Sequence, residues 1–269
     1  MRSVASEVWQ FRGLIGNFAQ RELKSKYKGS AVGWAWSLIN PLVTLGVYTL
    51  VFGVFLGATP PEMGNGQQIF ALYLFTGLVL WNFINQVAQG SMTALLSNGP
   101  LLRKIYFPAF APVAGNILAI GMQSVIELAL LLFVFILLGN ISWTVLFLPL
   151  VLLFVVAFSV GAGFLLAALN ARYRDVSYLV QVALNLLFYA TPIIYPISLV
   201  EQYYAEHPWA RLYELNPVTQ FVELAREILY TTEAPSPLRL VYAAVVSAVV
   251  LATGWTFFQR RSRDLSEVL

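Results

Sequence analysis

A long run without any charged residue, from position 29 to position 61, most constrains what this chain can fold into. Four cations stand just before it: Arg21, Lys24, Lys26 and Lys28. A helix needs about 20 apolar residues to cross a bilayer, and tryptophan rings, such as those of Trp34 and Trp36, favour its interface. The pattern therefore predicts a membrane span that starts on the cytoplasmic side.

Five more apolar segments follow, separated by short polar breaks. With 59% hydrophobic and 11% charged residues, the composition is typical of a polytopic membrane protein. We predict an all-α fold with six transmembrane helices, at about 31–58, 69–96, 109–138, 143–169, 176–195 and 238–258.

The placement of the cations orients these spans. Thirteen of the 16 Lys and Arg residues fall in the segment before the first span, in two loops near residues 103 and 172, and in the C-terminal tail. Because cytoplasmic loops are enriched in Lys and Arg, both termini are predicted to be cytoplasmic. The basic character of the chain then follows from topology and does not indicate a nucleic-acid partner.

Two segments outside the spans are also predicted to be helical. Apolar residues recur at helical spacing through the first 30 residues, which indicates either an amphipathic helix in the cytoplasmic interface or a soluble helix packed on a partner.

In the extracytoplasmic segment 196–237, Asn216 and Pro217 predict a helix start. That helix is too short to span and carries Glu223, Arg226 and Glu227, so we predict a re-entrant helix, paired with a shorter one near Ser198. Its charged face is expected to turn to water or to the axis of a dimer, and a flat interfacial helix is the alternative.

Polar residues form stripes on two spans. One stripe comprises Asn82, Gln86, Gln89 and Thr93, and the other comprises Asn116, Gln123 and Glu127. Such stripes either hold helices together or line a water-filled path. Glu127 is expected to be a hydrogen-bonded structural acid, since the sequence suggests no cationic partner for it at that depth.

Several kinds of chemistry are excluded or disfavoured. The chain has no cysteine and one histidine, so disulfides, thiolate metal sites and two-histidine zinc sites are excluded. No lysine follows a glycine, so the phosphate-binding loop pattern is absent. We therefore predict neither an enzyme nor a metal site, and any uphill transport must draw its energy from another subunit.

The segment 21–41 closely resembles the entry to the first span of type-two ABC exporter permeases, the family that exports polysaccharides and teichoic acids (polyol phosphates). Further similar strings follow in the family's order, at 101–108, 170–176, 191–196 and 215–217. The resemblance implies one permease domain over 1–269: an interfacial helix at 1–30, spans one to five at 31–195, a re-entrant segment at 196–237, span six at 238–258 and a tail at 259–269.

The resemblance also implies partners. These are a second copy of the chain, two separate ABC ATPase subunits that bind ATP and Mg, membrane lipids and a lipid-linked glycopolymer. This chain would hold no cofactor. The segment that docks on the ATPase would comprise Leu101, Leu102, Arg103, Lys104, Ile105, Tyr106, Phe107 and Pro108.

The first and fifth spans would line a channel for the sugar chain. Aromatic and amide side chains suit a sliding polymer, although aromatics also populate membrane belts and cores. The channel-lining candidates are Trp34, Trp36, Tyr48, Trp81, Gln181, Asn185, Phe188, Tyr189 and Tyr195. The helices before the last span would close its exit, and the gate candidates are Phe221, Glu223 and Glu227.

We therefore predict the permease subunit of an ABC transporter that exports lipid-linked polysaccharide, of the O-antigen or wall teichoic acid type, across the cytoplasmic inner membrane. The alternatives are an ABC permease for small hydrophobic compounds and an ATP-independent channel or scaffold.

Overall fold

The computed structural model describes residues 9–268 except 27, 31, 103, 105, 106 and 204–206, without the side chains of 34, 208, 209 and 263–268. Every regular element in this part of the chain is helical, which confirms the all-α prediction. The α-helices are α1 (Arg12–Lys26), α2 (Trp36–Tyr48), α3 (Phe70–Ser97), α4 (Gly99–Leu102), α5 (Phe110–Leu137), α6 (Leu148–Arg172), α7 (Val176–Tyr189), α8 (Ser198–Glu201), α9 (Pro217–Leu229) and α10 (Pro237–Val268). Helix α2 continues as a π-helix (Thr49–Phe55), and 3-10 turns precede α2 (Gly33–Ala35), α6 (Trp143–Phe147) and α9 (Pro208–Leu215).

Five helical segments are long and apolar enough to cross a membrane: Trp36–Phe55, Phe70–Ser97, Phe110–Leu137, Trp143–Arg172 and Pro237–Ser262. They correspond to the first, second, third, fourth and sixth predicted spans. The predicted fifth span, 176–195, is the 14-residue helix α7, which ends at Tyr189 just before Pro192. At about 1.5 Å per residue α7 is roughly 21 Å long, shorter than a bilayer core. The six-span count therefore stays a prediction.

Helix α3 is the centre of the bundle. Of the 18 consecutive residues that form its most apolar stretch, 78% are buried inside the chain. The corresponding share in the first span is 6%. It packs on α5, α6, α7 and α9, and Leu74, Val87 and Leu95 are fully buried. This burial explains why the first half of α3 carries apolar residues around its whole circumference, whereas the second half adds a stripe of polar side chains.

The most extensive helix contact joins α6 to α10, where two glycines face each other. A side-chain carbon added at Gly254 would overlap the backbone of Gly161, and one added at Gly161 would overlap the carbonyl of Val250. Glycine at both positions therefore lets the fourth and the last predicted spans approach each other closely.

Helix α1 lies along the first half of α5. The Phe11 ring is 6.1 Å from the Phe110 ring, and the Lys26 ammonium donates a 2.7 Å hydrogen bond to the Gln123 carbonyl oxygen. Ile15, Phe18, Ala19 and Leu23 are buried. The amphipathic pattern of this segment is thus accounted for by packing within the chain.

Helix α9 begins as predicted, because the Asn216 side chain accepts a 3.0 Å hydrogen bond from the Val218 N–H and Pro217 occupies the first turn. Its surroundings differ from the prediction. Eleven of its thirteen residues are buried, among them Glu223, so its charged face is not turned to water. The packing of α9 on α3, α6 and α10 makes it an integral part of the helical bundle.

Candidate functional site: an exposed face on α2 and α7

Two helices are poorly packed within the chain. No residue of α2 or of its π-helical extension is buried, and Leu184 is the single buried residue of α7. Their most exposed side chains include Val54, Phe55, Leu179 and Leu186. Long apolar helices with so little cover inside the chain face lipid or a second chain.

The exposed surface of α7 also carries amides. Gln181, Asn185 and Tyr189 share one face at steps of four residues, and all three are exposed. Polar groups are rarely turned towards hydrocarbon, because an unsatisfied hydrogen-bonding group there costs several kcal/mol. This face of α7 is therefore suited to a water-filled path or to contact with another subunit.

Four of the nine channel-lining candidates meet at one aromatic cluster. The Phe188 ring lies 5.5 Å from Trp81, 6.3 Å from Tyr48 and 5.3 Å from Tyr189. The cluster joins α2, α3 and α7, and exposure rises from Trp81, which is buried, to Tyr189, which is 63% exposed. It presents aromatic faces next to the amides of α7.

The other channel-lining candidates lie apart from the aromatic cluster, or their side chains lie outside the described residues. Trp36 is exposed at the start of α2, about three turns before Tyr48. Tyr195 follows α7, where its hydroxyl donates a 2.7 Å hydrogen bond to the Tyr189 carbonyl. The side chain of Trp34 lies outside the described residues.

The predicted coupling segment begins in the short helix α4 (Gly99–Leu102), which is separated from α3 by Asn98 alone. Of its eight residues, Leu101, Leu102, Lys104, Phe107 and Pro108 are described, whereas Arg103, Ile105 and Tyr106 lie outside the described residues. The Phe107 ring is 5.6 Å from the Phe18 ring of α1. Helix α1 therefore lies beside this segment.

Two of the three gate candidates, Glu223 and Glu227, belong to a partly buried charge cluster. Arg226 pairs with Glu223 at 2.9 Å, while Arg239 lies 3.0 Å from Glu227 and 3.8 Å from Glu223. Burial raises the pKa of Glu227, which also accepts a hydrogen bond from the Ser236 N–H. Phe221 is fully buried, with its ring 5.4 Å from Phe158. The expectation that the carboxylates face water or a dimer axis is wrong, because α10 and Arg226 hold them; a gate role for the segment stays a prediction.

The sequence interpretation missed a cationic neighbour of Glu127. Lys26, at the end of α1, is close enough to Glu127 for electrostatic attraction, and Asn82 of α3 lies within hydrogen-bonding reach of the same carboxylate. The description of Glu127 as an acid without a cation at its depth is therefore wrong. The polar stripes of α3 and α5 were a signal that these helices face each other, but only the packing of α1 brings in the lysine.

These features define a polytopic helical membrane protein with an exposed polar and aromatic face, the class to which transport permeases belong. The chain is a member of the ABC-2 type transporter family, whose model matches residues 14–230. As a member it is a permease, a transport subunit, which confirms the resemblance inferred from the sequence.

Relatives match over nearly the whole chain. The O-antigen export system permease protein RfbA of Myxococcus xanthus is 30% identical over 268 residues, 99% of each chain. An O-antigen export system permease protein RfbA of Klebsiella pneumoniae is 24% identical over 262 residues, 95% of each chain. The polysialic acid transport protein KpsM of Escherichia coli is 24% identical over 255 residues, 91% of this chain and 92% of that protein.

Proposed function

We propose that this chain is the permease of an ABC exporter that moves a lipid-linked polysaccharide, of the O-antigen or wall teichoic acid type, across the cytoplasmic membrane. The polar and aromatic face on α2 and α7 carries this proposal, since it stays exposed in the single chain although it belongs to membrane helices. The names of the relatives, which concern O-antigen export and polysialic acid transport, support the substrate class.

The proposal includes a homodimer. Two copies that bring their α2 and α7 faces together would enclose a path lined by the amides Gln181 and Asn185 and by the aromatic cluster around Phe188. Amide groups exchange hydrogen bonds with sugar hydroxyls, and aromatic faces contact the apolar faces of sugar rings. The absence of a charged side chain at these positions suits a polymer that must slide.

Energy would come from two separate ABC ATPase subunits, which hold ATP and Mg. The segment 101–108 would dock on them, and α1 would share that contact because Phe18 lies against Phe107. At the other end, the segment 196–237 would close the exit as one unit, since its charged residues are held in ion pairs within the chain.

A bulky side chain on the polar face of α7 is expected to block export. In Asn185→Trp the indole would occupy the proposed path, so surface polysaccharide should fall to near background while the protein still inserts and binds its ATPase. The matched control is Leu186→Trp, one residue on, where an exposed apolar residue lies on a different face of α7. Equal export by the two variants, measured as surface polymer per cell, would remove α7 from the path.

The proposed orientation is tested by labelling single cysteines, since the natural chain has none. Glu62→Cys, in the exposed turn before α3, should react with an impermeant maleimide added to spheroplasts with an intact inner membrane. Ser262→Cys, in the basic end of α10, should react only after the membrane is permeabilised. Labelling of Ser262→Cys in sealed cells would contradict the assignment of both termini to the cytoplasm.

A further inference from the structure

A polar cavity of about 430 Å³ lies between α1, α3 and α5, away from the exposed face on α2 and α7. Five amide side chains line it: Asn85, Gln86, Gln89, Asn116 and Gln123. Four of the seven residues in the polar stripes of the second and third spans therefore line a cavity: Gln86, Gln89, Asn116 and Gln123.

The walls of this cavity offer both donors and acceptors. The Gln89 amide donates a 2.8 Å hydrogen bond to the Asn85 carbonyl oxygen, which leaves the Asn85 NH₂ group and the Gln89 carbonyl with bonding capacity. Among the described residues, the Asn116 side-chain carbonyl oxygen is buried without a hydrogen-bond partner. This oxygen faces Gly90 and is enclosed by α3, so it belongs to the packing of the cavity wall. The bonding capacity offered to an occupant comes from the amides of Asn85 and Gln89.

Gly90 shapes the wall next to Asn116. A side-chain carbon at position 90 would overlap the Asn116 carbonyl oxygen, so glycine is what lets this amide lie against α3. The amides of both helices are thereby brought to one cavity instead of being separated by an intervening side chain.

Charged groups of both signs lie at the cavity, one ammonium and two carboxyl groups. Lys26 lines it and donates to Gln123, and burial lowers the pKa of Lys26. Two carboxylates lie on the same side, Glu22 in the cavity wall and Glu127 close to Lys26. An anionic ligand would meet these carboxylates and a cationic one would meet the ammonium, whereas an uncharged ligand with many hydroxyl groups would match the amides.

We propose that this cavity binds an uncharged, hydroxyl-rich headgroup, such as a sugar residue. The volume falls within the ~300–1,000 Å³ range of small-molecule sites. Two sources share this chemistry: a sugar of the exported polymer, in which case the site rests on the function proposed above, and the glycerol or sugar headgroup of a membrane lipid. The occupant would contact both α1 and the helix that leads into the coupling segment.

The test is photo-crosslinking to the purified permease with its ATPase in phosphatidylethanolamine nanodiscs. The probe is a dodecyl maltoside with a diazirine on the sugar, and labelled peptides are identified by mass spectrometry. Labelling is expected on the peptides that contain Asn85 and Asn116. Asn85→Leu, Gln89→Leu and Asn116→Leu should each reduce it about threefold to tenfold, the value of one or two neutral hydrogen bonds.

The matched control is Thr93→Val, one turn beyond Gln89, where the hydroxyl bonds to the backbone of its own helix and does not line the cavity. This variant should label like the natural chain. The three amides, which lie on two helices, are tested in separate variants. Each variant is checked for folding by co-elution with the ATPase in gel filtration, so that one poorly folded variant does not decide the result.

Competition separates the two sources. Displacement of the probe by a soluble maltodextrin assigns the site to glycan, and displacement only by dioleoylglycerol assigns it to a lipid headgroup. The proposal would be overturned if a dodecyl phosphocholine diazirine labelled the same peptides as strongly as the maltoside probe. It would also be overturned if all three leucine variants were labelled as strongly as the natural chain. Either result would leave a water-filled crevice. Because this assay measures binding without export, its failure is distinguishable from failure of the proposed function.

Discussion

Arg226→Leu is expected to lower the free energy of unfolding by about 3–5 kcal/mol, as does removal of one partner from a buried ion pair. The guanidinium is buried, 2.9 Å from Glu223 and 3.6 Å above the ring of Tyr73. It also donates hydrogen bonds of 2.5 and 2.8 Å to the carbonyl oxygens of Pro192 and Ile193. Leucine would leave a buried carboxylate and two buried carbonyl groups without these partners.

The measurement is unfolding of the detergent-solubilised protein in increasing SDS. Arg239→Leu is the matched control, because that side chain is 26% exposed and its loss should cost only about 1 kcal/mol. Adding Glu223→Gln to Arg226→Leu should recover part of the loss, since the unpaired charge is then removed. Unfolding of Arg226→Leu at the same SDS concentration as the natural protein would show that the cluster does not stabilise the outer segment.

Gly254→Ala is expected to cost about 3 kcal/mol or more, because overpacking a close helix contact forces the backbones apart. The added methyl would overlap the Gly161 carbonyl, and backbone atoms cannot move aside as a flexible side chain can. The consequence should extend to function, since α6 and α10 form the most extensive helix contact in the described part of the chain.

Gly121→Ala is the control for this substitution. It makes the same chemical change inside a helix, yet no heavy atom lies within 4 Å of the added carbon. Helix propensity then favours alanine by up to about 1 kcal/mol, so this variant should be as stable as the natural chain or slightly more stable. Equal thermal unfolding midpoints for the two alanine variants would contradict the close contact between Gly161 and Gly254.

The spans were predictable because their signals are local. Long apolar runs and turn residues placed five of the six spans within a few residues of the observed helices, and Asn216 with Pro217 predicted the start of α9. The shortness of α7, at the predicted fifth span, has a local cause too. Apolar composition continues past Tyr189, but Pro192 has no N–H group with which to continue the helix.

The partners of the polar residues were not predictable, since they depend on tertiary packing. Arg226 reaches carbonyl groups that lie more than thirty positions earlier in the chain, and Lys26 reaches Gln123 from another helix. A stripe of amides indicates that something polar faces it without identifying what. The amide positions of α7 were predicted as candidates, whereas the exposure that supports their role is a property of the folded chain.

The most direct test of the central claim is transport by the purified components. The permease and its co-purified ATPase are reconstituted with radiolabelled lipid-linked polysaccharide in proteoliposomes, and the polymer is followed by its susceptibility to a glycanase added outside. We expect the polymer on the ATPase-bearing side to become protected when ATP and Mg are supplied, and to stay susceptible with an ATPase subunit that cannot hydrolyse ATP. Two results would contradict an ATP-driven polysaccharide export permease. One is movement of the polymer at the same rate without ATP, and the other is no movement of the polymer when both the nucleotide and an active ATPase are present.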